Sequence, residues 1–68
     1  MSMERIRDRY NVPAKRGGRV IFSGGSVPRI GTIVGSVRGN DYLRIRLDGD
    51  KIPLAFHPTW ELKYLERY

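Results

Sequence analysis

The run Gly17-Gly18-Arg19-Val20-Ile21-Phe22-Ser23-Gly24-Gly25 and then, after five residues, Gly31-Thr32-Ile33-Val34-Gly35 decides the fold. Arg19-Val20-Ile21-Phe22 reads as a strand with Val20 and Phe22 on one face. Ser23 to Pro28 is a loop by composition. Arg29 to Val37 reads as a second strand, interrupted by Gly31 and Gly35. Glycine inside a strand marks a bulge, a sharp bend or the close approach of another backbone, and two of them suit a strand that coils round a small barrel.

Downstream, Arg38-Gly39-Asn40-Asp41 reads as a tight turn. Tyr42 to Leu47 alternates cleanly, which places Leu43, Ile45 and Leu47 inward and Tyr42, Arg44 and Arg46 outward. Asp48-Gly49-Asp50 supplies the next hairpin, because Asp-Gly tolerates positive φ. Lys51 to Phe56 alternates again, with Ile52, Leu54 and Phe56 predicted inward. Pro53 cannot donate to a ladder, so this strand lies at an edge or Pro53 points its missing N–H outward. His57-Pro58-Thr59-Trp60 reads as a turn, and Glu61 to Leu65 as a last short strand that closes the barrel or as a cover for its open end. Upstream, Met3, Ile6 and Tyr10 recur at helical spacing, Ser2 can cap the start, and Asn11-Val12-Pro13 ends the helix, because proline disfavours helical geometry at the residue before it. Eight residues make a marginal helix, so this one either docks its apolar stripe on the barrel or frays. The whole is expected to be all-β: a barrel of about five short strands over 17–68, preceded by a basic helix or arm over 1–16.

Composition bounds the function. A chain of 68 residues buries roughly 60% of its unfolded surface, enough for one compact core but not for a deep walled pocket. It has no cysteine and one histidine, so disulfides, thiolate metal sites and a zinc site find no support. Its apolar runs are too short for a membrane span, and no apolar run behind the N-terminal Met1-Ser2-Met3-Glu4-Arg5 makes a signal peptide, so a cytoplasmic setting is expected. Lys and Arg number 13 against 7 Asp and Glu, a net charge of +6. Such a balance favours polyanions, nucleic acid first and an acidic protein surface second; simple solubility is the competing use of the charge. The first nineteen residues hold six of the basic side chains against two acidic ones, so most of the excess lies there.

On these residues the strand–loop–strand unit resembles the KOW motif of SH3-like barrels, found in NusG-type elongation factors and several large-subunit ribosomal proteins. Gly17 and Gly18 open the pattern, Val20 and Phe22 take its apolar places, and Ser23-Gly24 its Ser-Gly place. Gly31 takes the last glycine, followed by Ile33. The chain departs from the motif at Gly18, where the family often has an acid, and at Pro28, where it has a glycine, with Arg29 after it rather than before it. The match covers roughly residues 17–37 and implies an SH3-like barrel. The whole chain is also similar to short uncharacterised proteins of tailed phages and prophages, through Arg9 to Gly17, Gly31 to Gly35 and His57 to Leu62. That likeness implies a phage setting in a bacterial host cell and no mechanism.

Tyr42, Arg44 and Arg46 form a basic, aromatic stripe on an outer strand face. Such a stripe suits nucleic acid, with arginines on phosphates and a ring on a base; a solvated face that protects an edge uses the same residues. Arg29 and Arg38 flank the second strand and extend the surface. Arg5, Arg7, Arg9, Lys15 and Arg16 form an arm that a phosphate backbone can order, or a helix with a charged outer face where Glu4 and Asp8 pair with arginines. With Arg19, these give the candidate nucleic-acid-binding set Arg29, Arg38, Tyr42, Arg44, Arg46, Lys15, Arg16 and Arg19. The Ser23-Gly24-Gly25-Ser26 loop lacks the lysine and following helix of a nucleotide loop and reads as a flexible turn. His57 lacks an orienting partner for catalysis and is expected to make one hydrogen bond in its turn. Trp60 is expected to plug the barrel's end, with base stacking as the alternative. Asp48 and Asp50 are turn residues, too few for calcium.

No nucleophile–base pair, metal set or cofactor motif is present, so a non-catalytic role without cofactor is expected. The favoured reading is weak, low-specificity binding of RNA or DNA through arginines by a monomer or weak homodimer. The alternative is a protein-interaction or assembly module, since small barrels bind proteins as readily.

Overall fold

The computed structural model describes residues 2–65. It contains one helix, α1 (Ser2–Tyr10), and five strands: β1 (Arg19–Phe22), β2 (Arg29–Ser36), β3 (Leu43–Leu47), β4 (Leu54–Phe56) and β5 (Leu62–Tyr64). The strands form one antiparallel sheet in the order β4-β3-β2-β1-β5, curled into a half-barrel. This is the small all-β architecture that the alternation and turns predict.

The core lies on the concave face. Val20, Ile33, Leu43, Ile45, Leu47 and Phe56 are buried there, and each such side chain contributes about 1.5–3 kcal/mol of burial. Phe22 meets Phe56 edge-to-face, ring centroids 4.8 Å apart, at the rim. Ile6 of α1 and Ala14 of the connector are fully buried in this same cluster, and Met3, Tyr10 and Val12 pack against it. The helix therefore docks its apolar stripe. It ends through Asn11, whose φ of 55° is left-handed, with the Val12 N–H donating to the Arg7 carbonyl at 3.3 Å. That is a C-terminal cap of the Schellman type, and the helix stops at Asn11-Val12-Pro13 as expected. The cap expected from Ser2 falls on a side chain outside the described ones.

Strand β2 is central and carries both irregularities that its glycines predict. At Gly31 a Cβ would stand 2.9 Å from Ile45 Cγ2 and 3.0 Å from both the Arg46 carbonyl oxygen and Leu47 Cδ2. Only a residue without a side chain lets β2 and β3 approach this closely over the core. Beyond Ile33, paired with Ile45, the register slips so that Gly35 faces Arg44 and Val34 is the extra residue of a β-bulge.

Two inward assignments are corrected. Ile52 precedes β4 and is 68% exposed, and Leu54 is 52% exposed. Leu54 does pair with Ile45 and so shares the core's side of the sheet. However, β4 is an edge strand of three residues, and nothing covers its rim. Only Phe56, opposite Leu43, reaches the interior. Pro53 lies just before β4 at the sheet's edge, as its missing N–H requires.

Trp60 is the third correction: it is 64% exposed and plugs nothing. The end of the half-barrel is closed instead by Pro58, which is fully buried, and by the half-buried Tyr64, whose hydroxyl donates to the Pro58 carbonyl at 2.7 Å. Burial pushes that hydroxyl's pKa up to about 12.

Two stability predictions follow from this packing. Gly31→Ala is expected to lose roughly 1–3 kcal/mol in urea unfolding, as over-packed cores do. Gly35→Ala is expected to change little, since its Cβ would meet only the Arg16 guanidinium at 3.9 Å. Equal losses at the two positions would remove the close-approach argument. Ile6→Ala is expected to cost about 2–5 kcal/mol in one cooperative transition, because the helix shares the core; a loss under about 0.5 kcal/mol, the range of surface substitutions, would make residues 2–10 an independent arm.

Candidate nucleic-acid interface

The outward residues of the sheet fall into two groups that the linear sequence does not separate. The first surrounds the β3–β4 turn. Arg19 grips Asp48 with both guanidinium nitrogens, Nη1 to Oδ1 at 3.1 Å and Nη2 to Oδ2 at 2.7 Å, and Nη1 also donates to Thr32 Oγ1 at 2.6 Å. Arg29 donates to the Asp48 carbonyl at 2.7 Å and to Asp50 Oδ1 at 3.2 Å. Arg46 donates to the Asp50 carbonyl at 3.3 Å. Antiparallel register explains the gathering: Arg19 stands beside Thr32, and Thr32 beside Arg46, in one row across β1, β2 and β3. The Arg19 hydrogen bonds hold the Asp48 carboxyl below the usual carboxylate range, with smaller help from the charges of Arg46 and Arg29. Asp48 and Asp50 are thus more than turn residues. Their carboxylates pair with Arg19 and Arg29, and the Asp50 carbonyl holds Arg46.

The second group lies at the opposite end, around a cleft of about 870 Å³ between α1, the connector and the β2–β3 hairpin. Arg5, Arg16, Arg38 and Arg44 line it, together with Met3, Gly35 and Asp41. The bulge positions Arg16. Its Nη1 donates to the Val34 carbonyl at 3.0 Å, and its guanidinium lies over Gly35, where no side chain obstructs it. Arg5 and Arg9 reach from the helix to Asp41 at 3.4 and 2.8 Å. Asp41 absorbs part of the positive charge, while Arg38 and Arg44 make no hydrogen bond or ion pair among the described residues. Arg7 is turned away to the Ala14 carbonyl at 2.7 Å, a structural role that fastens the connector to the helix. Lys15 is exposed on the same connector.

Tyr42 precedes β3 and is half-buried. Its ring meets His57 edge-on at 5.5 Å, as Tyr10 does at 5.2 Å, and Trp60 stacks on His57 at 4.2 Å with the planes 11° apart. His57 accepts a hydrogen bond from the Thr59 N–H at Nδ1, 3.1 Å, which is the turn contact predicted for it. Reasoning from sequence assigned Trp60 to the interior and so missed this aromatic group. Its signal was the spacing of Tyr42 and His57, which face each other outward once Leu43 pairs with Phe56.

Among the described residues, no three of His, Asp and Glu gather as a metal ion requires, and no helix is long and apolar enough to cross a membrane. No family model matches the chain, and neither a curated protein nor a solved structure shows significant similarity to it.

The lowered pKa of Asp48 sets a pH dependence. Its contact with Arg19 stabilises the fold while the carboxylate is charged, above the ordinary value of about 4, and the contribution is lost as the pH falls through the lower folded value. Asp48→Asn is expected to lower the urea midpoint at pH 7 and to converge on the parent only as the pH falls through the lowered folded value of Asp48, below the ordinary carboxylate range. A gap that persists unchanged at low pH would assign the effect to turn geometry instead of charge.

Proposed function

We propose that this chain is a small, non-catalytic nucleic-acid-binding barrel that holds phosphates in the cleft between α1 and the β2–β3 hairpin. The observation that carries the reading is the pair Arg38 and Arg44. Both are exposed, both border the cleft beside Arg16 and Arg5, and neither has a protein partner among the described residues. An arginine without an internal partner is available to a phosphate at no cost in broken ion pairs. The net charge of +6 supplies long-range attraction. The backbone contact implies affinity that is salt-dependent and weakly selective for sequence. The five-stranded antiparallel sheet agrees with a small barrel, and the KOW-type and phage-type readings rest on sequence likeness alone.

A second reading draws on a different observation. Ile52 and Leu54 are exposed at the β4 edge, where an apolar partner or a second copy of the chain can add to the sheet. Contact there would survive salt.

Fluorescence anisotropy with labelled DNA and RNA, at about 50 and 200 mM salt, tests the first reading. Binding is expected to weaken steeply with salt. Arg38→Ala/Arg44→Ala is expected to reduce the salt slope by about 2, one for each phosphate contact. Arg29→Ala/Arg46→Ala is expected to have the smaller effect, because those side chains are already held by Asp48 and Asp50. No binding at low salt, from so basic a chain, would overturn the reading and favour the edge-strand partner.

A further inference from the structure

We propose that Trp60, stacked on His57, is a platform for an unpaired nucleobase, so that the chain takes single-stranded nucleic acid in preference to duplex. The inference rests on the nucleic-acid reading above and names its substrate class.

Trp60 is the only tryptophan, and a ring of that size ordinarily gives its area to the core. Here it is 64% exposed while lying flat on His57. One face is therefore covered by imidazole, and the area left to solvent is the opposite face and the edges. The ring is fixed from beneath. His57 is held by the Thr59 N–H and hydroxyl, each 3.1 Å from Nδ1, and by the edges of Tyr10 and Tyr42 against its flanks. Tyr10 belongs to α1, so the helix that docks on the core also braces the platform. A pre-ordered ring gives up less freedom when a ligand covers it than a mobile one does.

The surroundings select the ligand. On the outer face of the sheet, Arg44 lies two residues along from Tyr42, roughly 7 Å at the rise of a strand. It borders the arginine-lined cleft and has no partner among the described residues. An open aromatic face, linked through His57 and Tyr42 to the strand that carries Arg44, offers the combination of base stacking and phosphate contact that single strands use. A duplex cannot use it. Its bases already stack on both faces and present only edges and phosphates, so duplex engages the arginines and leaves Trp60 bare. Tyr42, the stacker expected from sequence, instead turns its ring against His57 and serves as a brace. Stacking tolerates any base, which agrees with the low sequence specificity of the cleft.

Trp60 reports its own occupancy. Its fluorescence is to be followed while oligo(dT), oligo(U) or a blunt DNA duplex of the same length is added to the full chain, with anisotropy measured in parallel. Both single strands are expected to quench the emission and to bind more tightly than the duplex, which should bind without quenching. Trp60→Ala is expected to weaken single-strand binding roughly 5- to 100-fold, the effect of one lost stack, and to leave duplex binding and the melting temperature unchanged. Trp60→Phe is expected to recover part of the loss. If Arg38→Ala/Arg44→Ala abolishes binding while Trp60→Ala binds single strands like the parent, the stacking inference falls and the phosphate reading stands. Equal affinity for duplex and single strands has the same consequence. Binding of neither polymer by the parent overturns both. Quenching by only one of oligo(dT) and oligo(U) supports the platform and shows that it discriminates by the sugar or by the thymine methyl group.

Discussion

Everything in this fold depends on how closely β2 can lie against β3. Gly31 brings the backbone of the central strand to where any side chain would strike Ile45 and Leu47, so the sheet closes over its core without a gap. One position beyond Ile33, the bulge turns the same strand and offers the Val34 carbonyl to Arg16. One strand thus sets both the curl of the sheet and the place where the connector crosses it. With the connector fixed, α1 can lower Ile6 into the open end, and a small chain gains a core that the strands alone leave uncovered.

The distribution of charge follows from that geometry more than from composition. At the β3–β4 turn, two aspartates draw Arg19, Arg29 and Arg46 into contacts within the molecule. At the other end, Asp41 is shared by Arg5 and Arg9, and Arg38 and Arg44 have no partner among the described residues. Exposed ion pairs of this kind add little stability. Their larger consequence is to silence one arginine cluster and leave the other available, giving a basic sequence one end that attracts anions. The aromatic group on His57 lies on this available side, against the helix and the hairpin.

Much of the fold was legible beforehand because it rests on local pattern. Alternation in Leu43, Ile45 and Leu47 located the strand on which the core is built, the 3–4 spacing of Met3, Ile6 and Tyr10 located the docked helical face, and the Asp-Gly turn placed its positive φ at Gly49. The errors arose where burial depends on what lies opposite. Ile52 and Leu54 have the pattern of an inward strand, but β4 is the sheet's edge and no element covers it. Trp60 has the size of a core residue, yet Tyr64 and Pro58 already fill the space it was expected to take. The candidate arginines were legible as a set. Their division into bound and unbound members was not, because Arg19 and Asp48 are far apart in the chain and meet only through the strand register.

The sequence by itself determined the small all-β class, the order of strands and turns, the apolar face of the helix and the cationic character of the surface. These follow from periodicity, turn chemistry and charge, which are local or additive properties. Tertiary structure alone decided which arginines keep a free guanidinium, that Arg16 is seated on the bulge, and that Trp60 faces solvent on a bed of His57 and two tyrosines. Each of these depends on contacts between residues distant in the chain, and such contacts exist only once the sheet has curled and the helix has docked.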